Sequence, residues 1–81
     1  MSGRRHIIVH KSDTVSTLLD DDTAATSLED GRPCTAGIPF GHKVALKAMS
    51  SGERIMKYGV AIGVATQTIA PGEHVHVHNC R

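Results

Sequence analysis

The chain of 81 residues has no tryptophan, one phenylalanine and one tyrosine. A core must therefore be filled by Val, Ile, Leu, Ala and Met, without the large area that aromatic side chains bury. Charge of one sign is also missing: nine Lys and Arg stand against eight Asp and Glu, and they are dispersed. Nucleic-acid binding would call for a basic stripe with interleaved aromatics, and Arg4 and Arg5 are too few to form a basic arm. No apolar run approaches the roughly 20 residues of a membrane span. The opening Met-Ser-Gly-Arg-Arg lacks the apolar stretch of a secretory signal. The expectation is a cytoplasmic protein with neither nucleic acid nor membrane as partner.

Cysteine is scarce too. Cys34 and Cys80 lie far apart and in no metal-finger spacing. In a reducing compartment they read as two free thiols. A chain this short makes one domain and buries only about 60% of the surface its unfolded form exposes. Its core is thin, so a partner subunit or a second copy of the chain would supply the missing burial.

What is present is mostly β sequence. His6–His10 is a short β-branched run, read as a first strand, with residues 1–5 expected as a disordered tail. Residues 14–19 suit either a strand pairing with it or a short helix capped by Asp13. Asp20-Asp-Asp22 reads as a solvated acidic turn, since a cation site needs further oxygen ligands. Residues 20–37 have loop composition and are expected to be mobile. Strands are then expected at 44–46, 54–58 and 60–69, separated by turns at 50–53 and 70–73. Five to seven short strands and little helix make the class all-β, as a small barrel or folded-over hairpins.

The last third carries the strongest chemical signal, His74-Val-His-Val-His78. In a strand, alternate side chains share a face, which would put His74, His76 and His78 together, about 7 Å apart, with Val75 and Val77 turned inward. Two such neighbours can converge on one divalent ion; the third reaches it only if the chain bends. No phosphate-loop pattern is present, although Gly41-His-Lys43 carries a glycine and a lysine. His42, at a loop-to-strand junction, is a candidate for the substrate cleft. Lys43 and Lys57 could neutralise a carboxylate as point charges, while Tyr58 alone would be read as a half-buried packing residue.

Three motifs follow one another at close spacing: Ile38-Pro-x-Gly-His-Lys-Val-Ala-Leu46, Ile55-x-Lys-Tyr-Gly-x-x-Ile-Gly63 and Ala70-x-Gly-Glu-His-Val-His-x-His-Asn79. Together they resemble the small SAF-type, β-clip module of the altronate/galactarate dehydratase family, and the similar small subunit of sulfolactate sulfo-lyase. The resemblance is strong over 38–79 and weak over 6–19. It implies a β-clip fold, a large catalytic subunit as partner, a sugar-acid substrate, and a divalent metal, Fe2+ with Mn2+ as the alternative. Carried onto this chain, it implies His42 as catalytic residue, Gly41, His42, Lys43, Lys57 and Tyr58 as substrate contacts, and His74, His76 and His78 as metal ligands. The function so implied is elimination of water from a sugar acid, or of sulfite from sulfolactate. A non-enzymatic module holding a small acid or a protein, and a free-standing metal-binding protein, are the alternatives from other classes.

Overall fold

A computed structural model describes residues 3–81. Among them no residue is helical, and six short strands carry the architecture: β1 (His6–Ile7), β2 (Val15–Leu18), β3 (Lys43–Ala45), β4 (Arg54–Lys57), β5 (Val60–Val64) and β6 (His74–Val75). One antiparallel sheet has the order β1-β2-β3-β6, and β4 and β5 form a second, two-stranded sheet. The all-β expectation holds.

Residues 14–19 resolve as a strand rather than a helix. Val15 and Leu18 are fully buried, and β2 is flanked on both sides by partners that use its backbone groups, with Ser16 opposite Val44 and Thr17 opposite Ile7. The first strand is shorter than its β-branched run suggests. The Asp13 carboxylate accepts hydrogen bonds from the amides of Val9 and His10, at 3.3 and 3.1 Å, and so turns the chain out of the sheet after Ile7.

The N-terminal residues expected as a tail are a correction in part. Met1 and Ser2 lie outside the described residues. Arg4, however, is fully buried: its guanidinium donates to the Asp20 carboxylate at 2.9 Å and to the carbonyls of Asp20 and Ile38. An arginine fork surrounded by three oxygens is a satisfied buried charge, which local composition does not reveal. The loop-like stretch 20–37 likewise contributes to the interior. Leu28 and Cys34 pack with Leu18, Ile38 and Val44 in one apolar cluster.

The second cluster exposes an internal symmetry. Val15, Ala45, Met49, Ile55, Ala65, Ile69 and Val75 form it. Apart from Val15, these fall into pairs at one fixed offset in sequence: Ala45 with Ala65, Met49 with Ile69, Ile55 with Val75. Their hydrogen bonds correspond. The Ala45 amide donates to the Glu73 carbonyl and the Ala65 amide to the Glu53 carbonyl, both at 2.9 Å. Gly72 donates to Ala45 at 2.8 Å and Gly52 to Ala65 at 2.7 Å, while Met49 and Ile69 exchange both bonds across the pseudo-twofold. The turns match as well. Glu53 Oε1 accepts from the Ser50 amide and Glu73 Oε1 from the Ala70 amide, with Gly52 at φ 88° and Gly72 at φ 84° where the turn needs a positive φ. Thus β3 with β6 and β5 with β4 are equivalent ribbons, Val44 opposite His74 as Val64 is opposite Arg54.

Candidate functional site

His42 reaches its position through a tight turn. Its amide donates to the Pro39 carbonyl at 3.2 Å, and Gly41 supplies the positive φ of 81° that closes such a turn after Phe40. Gly41 in turn donates to the Leu18 carbonyl, while the Leu18 amide donates to the His42 carbonyl, which ties this turn to the end of β2. Because Lys43 pairs with Val75 and Val44 with His74, the register continues to set His42 beside His76.

Three imidazoles meet there. His42 Nδ1 lies 2.9 Å from His74 Nε2, the rings of His42 and His76 stack with centroids 4.4 Å apart, and those of His74 and His76 stack at 5.5 Å. One nitrogen from each of His42, His74 and His76 lies within 4.8 Å of the others. The grouping differs from the one that strand alternation suggests. β6 ends at Val75, and the chain bends at His76 and turns through Asn79. Val75 is fully buried as expected, but Val77 is 83% exposed. His78 stays near, its ring centroid 5.4 Å from that of His74, yet the third member of the close set is His42 from the neighbouring strand.

Asn79, fully buried, holds the bend. Its Oδ1 accepts from the His76 amide at 2.9 Å and its Nδ2 donates to the His74 carbonyl at 2.8 Å. A second, longer contact of 3.5 Å runs from Nδ2 to Glu73 Oε2. The Asn79 amide donates to the His76 carbonyl, and its own carbonyl accepts from Thr66. Sequence reasoning passed over this residue. An asparagine closing a run of alternating residues is a turn-forming residue whose carboxamide can bond nearby backbone, and it would have warned that the strand stops.

The electrostatics favour the neutral ring at His74 and at His76. Burial lowers the pKa of His74, and the neighbouring charges of His42, His78, His76 and Lys43 lower it further. The same holds for His76, through partial burial and then His42, Lys43 and His78. A neutral imidazole has a lone pair to offer a metal. Three imidazole nitrogens are a suitable donor set for a divalent transition ion that keeps open positions. A metal–nitrogen distance of about 2.1 Å places tetrahedral ligand atoms about 3.4 Å apart, so seating an ion asks His42 and His74, 2.9 Å apart, to open by about half an ångström and His76 to adjust within the 4.8 Å set. The residues present fit the group.

Of the expected substrate contacts, Gly41 shapes the turn and Lys43 is close enough for its charge to depress both His74 and His76. Lys57 and Tyr58 belong to a different end of the molecule. They sit at the tip of the β4–β5 hairpin, with Lys57 Nζ 4.7 Å from the centre of the Tyr58 ring. That hairpin is tied to the start of β2, through the Asp13 carboxylate accepting from Gly59 at 2.9 Å and the Thr14 amide donating to Met56. His42 is tied to the end of β2, so the structure does not gather Lys57 and Tyr58 with the histidines. The hairpin tip has φ 56° at Tyr58 and 77° at Gly59, the signature of a two-residue turn with both central residues left-handed.

A second constellation has nucleophile-like chemistry but no access. His6 Nδ1 bonds Ser16 Oγ at 2.8 Å and Nε2 bonds Asp30 Oδ2 at 2.9 Å. Ser16 is only 1% exposed, so no substrate reaches its hydroxyl, and the network serves to clamp β1 to β2 and the following loop. Cys34 and Cys80 are free thiols, and burial pushes the Cys34 thiol upward. The described residues enclose no pocket, which leaves the histidine cluster on an open face.

The profile of the altronate/galactarate dehydratase SAF domain matches residues 4–81. The chain is 50% identical over 44 residues to the (2R)-sulfolactate sulfo-lyase subunit alpha of Chromohalobacter salexigens, covering 54% of this chain and 47% of that one. It is 38% identical over 78 residues to the altronate dehydratase of Bacillus subtilis, covering 93% of this chain and 16% of the relative. It is 36% identical over 72 residues to the L-threo-forming galactarate dehydratase of Escherichia coli, covering 86% and 14% respectively. The chain thus spans about half of the sulfo-lyase subunit and a small fraction of either dehydratase. No helix among the described residues is long and apolar enough to cross a membrane.

Proposed function

Because the chain belongs to the altronate/galactarate dehydratase SAF-domain family, we propose that it is the small β-clip subunit of a carbon–oxygen lyase that dehydrates a sugar acid beside a larger catalytic polypeptide. The observation that carries this reading is the meeting of His42, His74 and His76, with Lys43 alongside, on an open face. His42, His74 and His76 would hold a divalent ion, Fe2+ or Mn2+. When bound, that ion supplies a Lewis acid for the negative charge that builds up as the proton beside a carboxylate is removed. Lys43 contributes a point charge for the substrate carboxylate. With His42 occupied as a ligand, the proton-abstracting base belongs to the larger polypeptide, which also walls off the substrate. His78 stands outside the ligand set. The subunit acts in the cytoplasm.

A second reading, the alpha subunit of a sulfolactate sulfo-lyase, is favoured by the 50% identity to a relative that is itself a subunit. Both readings use the same histidine face and differ in the leaving group.

The test is elimination activity of the chain with and without the larger polypeptide, on altronate, galactarate and sulfolactate, with ferrous ion added. Activity is expected only in the mixture, and the preferred acid distinguishes the two readings. His42→Ala and His76→Ala are expected to abolish it, and His78→Ala to spare most of it. A chain that neither associates with such a polypeptide nor supports turnover on any of the three acids would overturn the lyase reading.

A further inference from the structure

The two equivalent ribbons contain their own control for what shapes the histidine site. In one ribbon β4 runs on to Lys57, which still pairs with Val60 before the hairpin closes at Tyr58 and Gly59. In the other β6 stops at Val75, and the backbone bends at His76. The core residues, the turns and the cross-ribbon hydrogen bonds of the two halves match up to this point. Beyond it Met56 corresponds to His76, and Gly59 to Asn79. Gly59 has no side chain to offer, and the Met56 amide donates to Thr14 Oγ1 at 3.0 Å instead. Asn79 captures the His76 amide and the His74 carbonyl with one carboxamide.

We propose that Asn79 is the positioning residue of the metal site: its carboxamide folds the backbone between His74 and His76 and so sets the spacing of the two ring nitrogens relative to His42. The inference rests on the metal reading above. The carboxamide is suited to the task because it both donates and accepts. In a straight strand the same-face positions of 74 and 76 would lie about 7 Å apart; with the bend in place their rings stack at 5.5 Å and both reach His42. Asn79 itself offers no ligand atom to the site, since its oxygen is engaged by the His76 amide and its nitrogen by the His74 carbonyl. Full burial leaves these bonds without competition from water.

The experiment titrates the full chain with cobalt(II), reading the visible ligand-field band and the dissociation constant, and records the melting temperature of every variant. Outer-shell groups that orient metal ligands typically change affinity by about 10–100-fold when removed, and Asn79→Ala is expected to weaken cobalt binding within that range with a changed band. Asn79→Asp keeps the acceptor for His76 and loses the donor to His74, so its affinity is expected to fall between the two. It also decides the matter if the alanine variant does not fold. Either folded variant binding cobalt within about twofold of the parent, below the 10–100-fold range and whatever its melting temperature, would reduce Asn79 to a structural residue and overturn the proposal. A parent chain that takes up no cobalt at all would instead overturn the metal reading on which it rests.

Discussion

Arg4 gives the sharpest quantitative test of how the fold supports the site. Its guanidinium is fully buried and serves the Asp20 carboxylate, the Asp20 carbonyl and the Ile38 carbonyl. Ile38 opens the segment Ile38–His42 that delivers His42, so this one side chain ties the N-terminal residues to the histidine turn. Arg4→Met keeps the aliphatic stem and removes the donors. The buried Ile38 carbonyl left without a partner costs about 1–3 kcal/mol, and the half-buried Asp20 carbonyl less. The lost ion pair adds little, because the Asp20 side chain is 22% exposed and retains its bond from the Arg5 amide at 2.9 Å. The expected sum is about 3 kcal/mol, a large share of the roughly 5–15 kcal/mol that holds a domain together. For a chain of this size each kcal/mol moves the melting temperature by about 4–8 °C, so a fall of roughly 12–24 °C is expected in thermal unfolding followed by far-UV circular dichroism. Asp20→Asn leaves both carbonyl contacts in place but removes the counter-charge of a fully buried guanidinium, so it is expected to cost more than the ~1 kcal/mol of an exposed pair. An Arg4→Met protein within about 0.5 kcal/mol of the parent, the range of an ordinary surface change, would refute the assignment of Arg4 as an internal pillar.

Two further outcomes follow from the site and its turns. Since His74 and His76 have pKa values below the ordinary 6.5, the unfolded chain binds protons more readily than the folded one. Stability is therefore complete above pH 6.5 and declines as the pH drops below it toward the folded-state values. Melting temperatures recorded from about pH 7 to about pH 5 should fall for the parent and fall less for the His74→Gln, His76→Gln double variant, and a parent profile that is flat or rising toward acid would contradict this. Gly41 and Gly72 share a positive φ, but a Cβ at Gly41 meets open space whereas one at Gly72 comes within 2.7 Å of the Pro33 carbonyl group. Both alanine variants bear the left-handed strain of about 1–2 kcal/mol, and only Gly72→Ala must also move backbone; urea unfolding should show it the more destabilised of the two, and equal losses would count against the close approach.

Local chemistry alone determined much of this protein. β-branched and alternating runs marked β3 and β4 nearly where they stand and the start of β5, which ends at Val64 instead of continuing to 69, because a half-buried pleated surface selects such residues. Pro71 with Gly72, and Gly52 after two serines, marked turns because only glycine adopts the required φ without strain. The three motifs around Gly41-His-Lys43, Lys57-Tyr-Gly59 and Glu73–Asn79 were sufficient to indicate the family, and the histidine run was sufficient to point to a candidate site.

Only the tertiary structure decided which histidines lie together. Alternation is a rule for one straight strand, and it selected His74, His76 and His78. The bend at His76 and the pairing of β3 with β6 replaced His78 by His42, a partner distant in sequence and adjacent only through the register. The separation of Lys57 and Tyr58 from the histidines, the burial of Arg4 and the matching of the two ribbons have the same origin. Each depends on contacts between residues far apart in the chain, such as Asp13 with Gly59, Arg4 with Ile38 and Met49 with Ile69. No local propensity encodes such contacts, since a side chain's partner across the fold is set by how the whole chain closes its hydrogen bonds and fills its core.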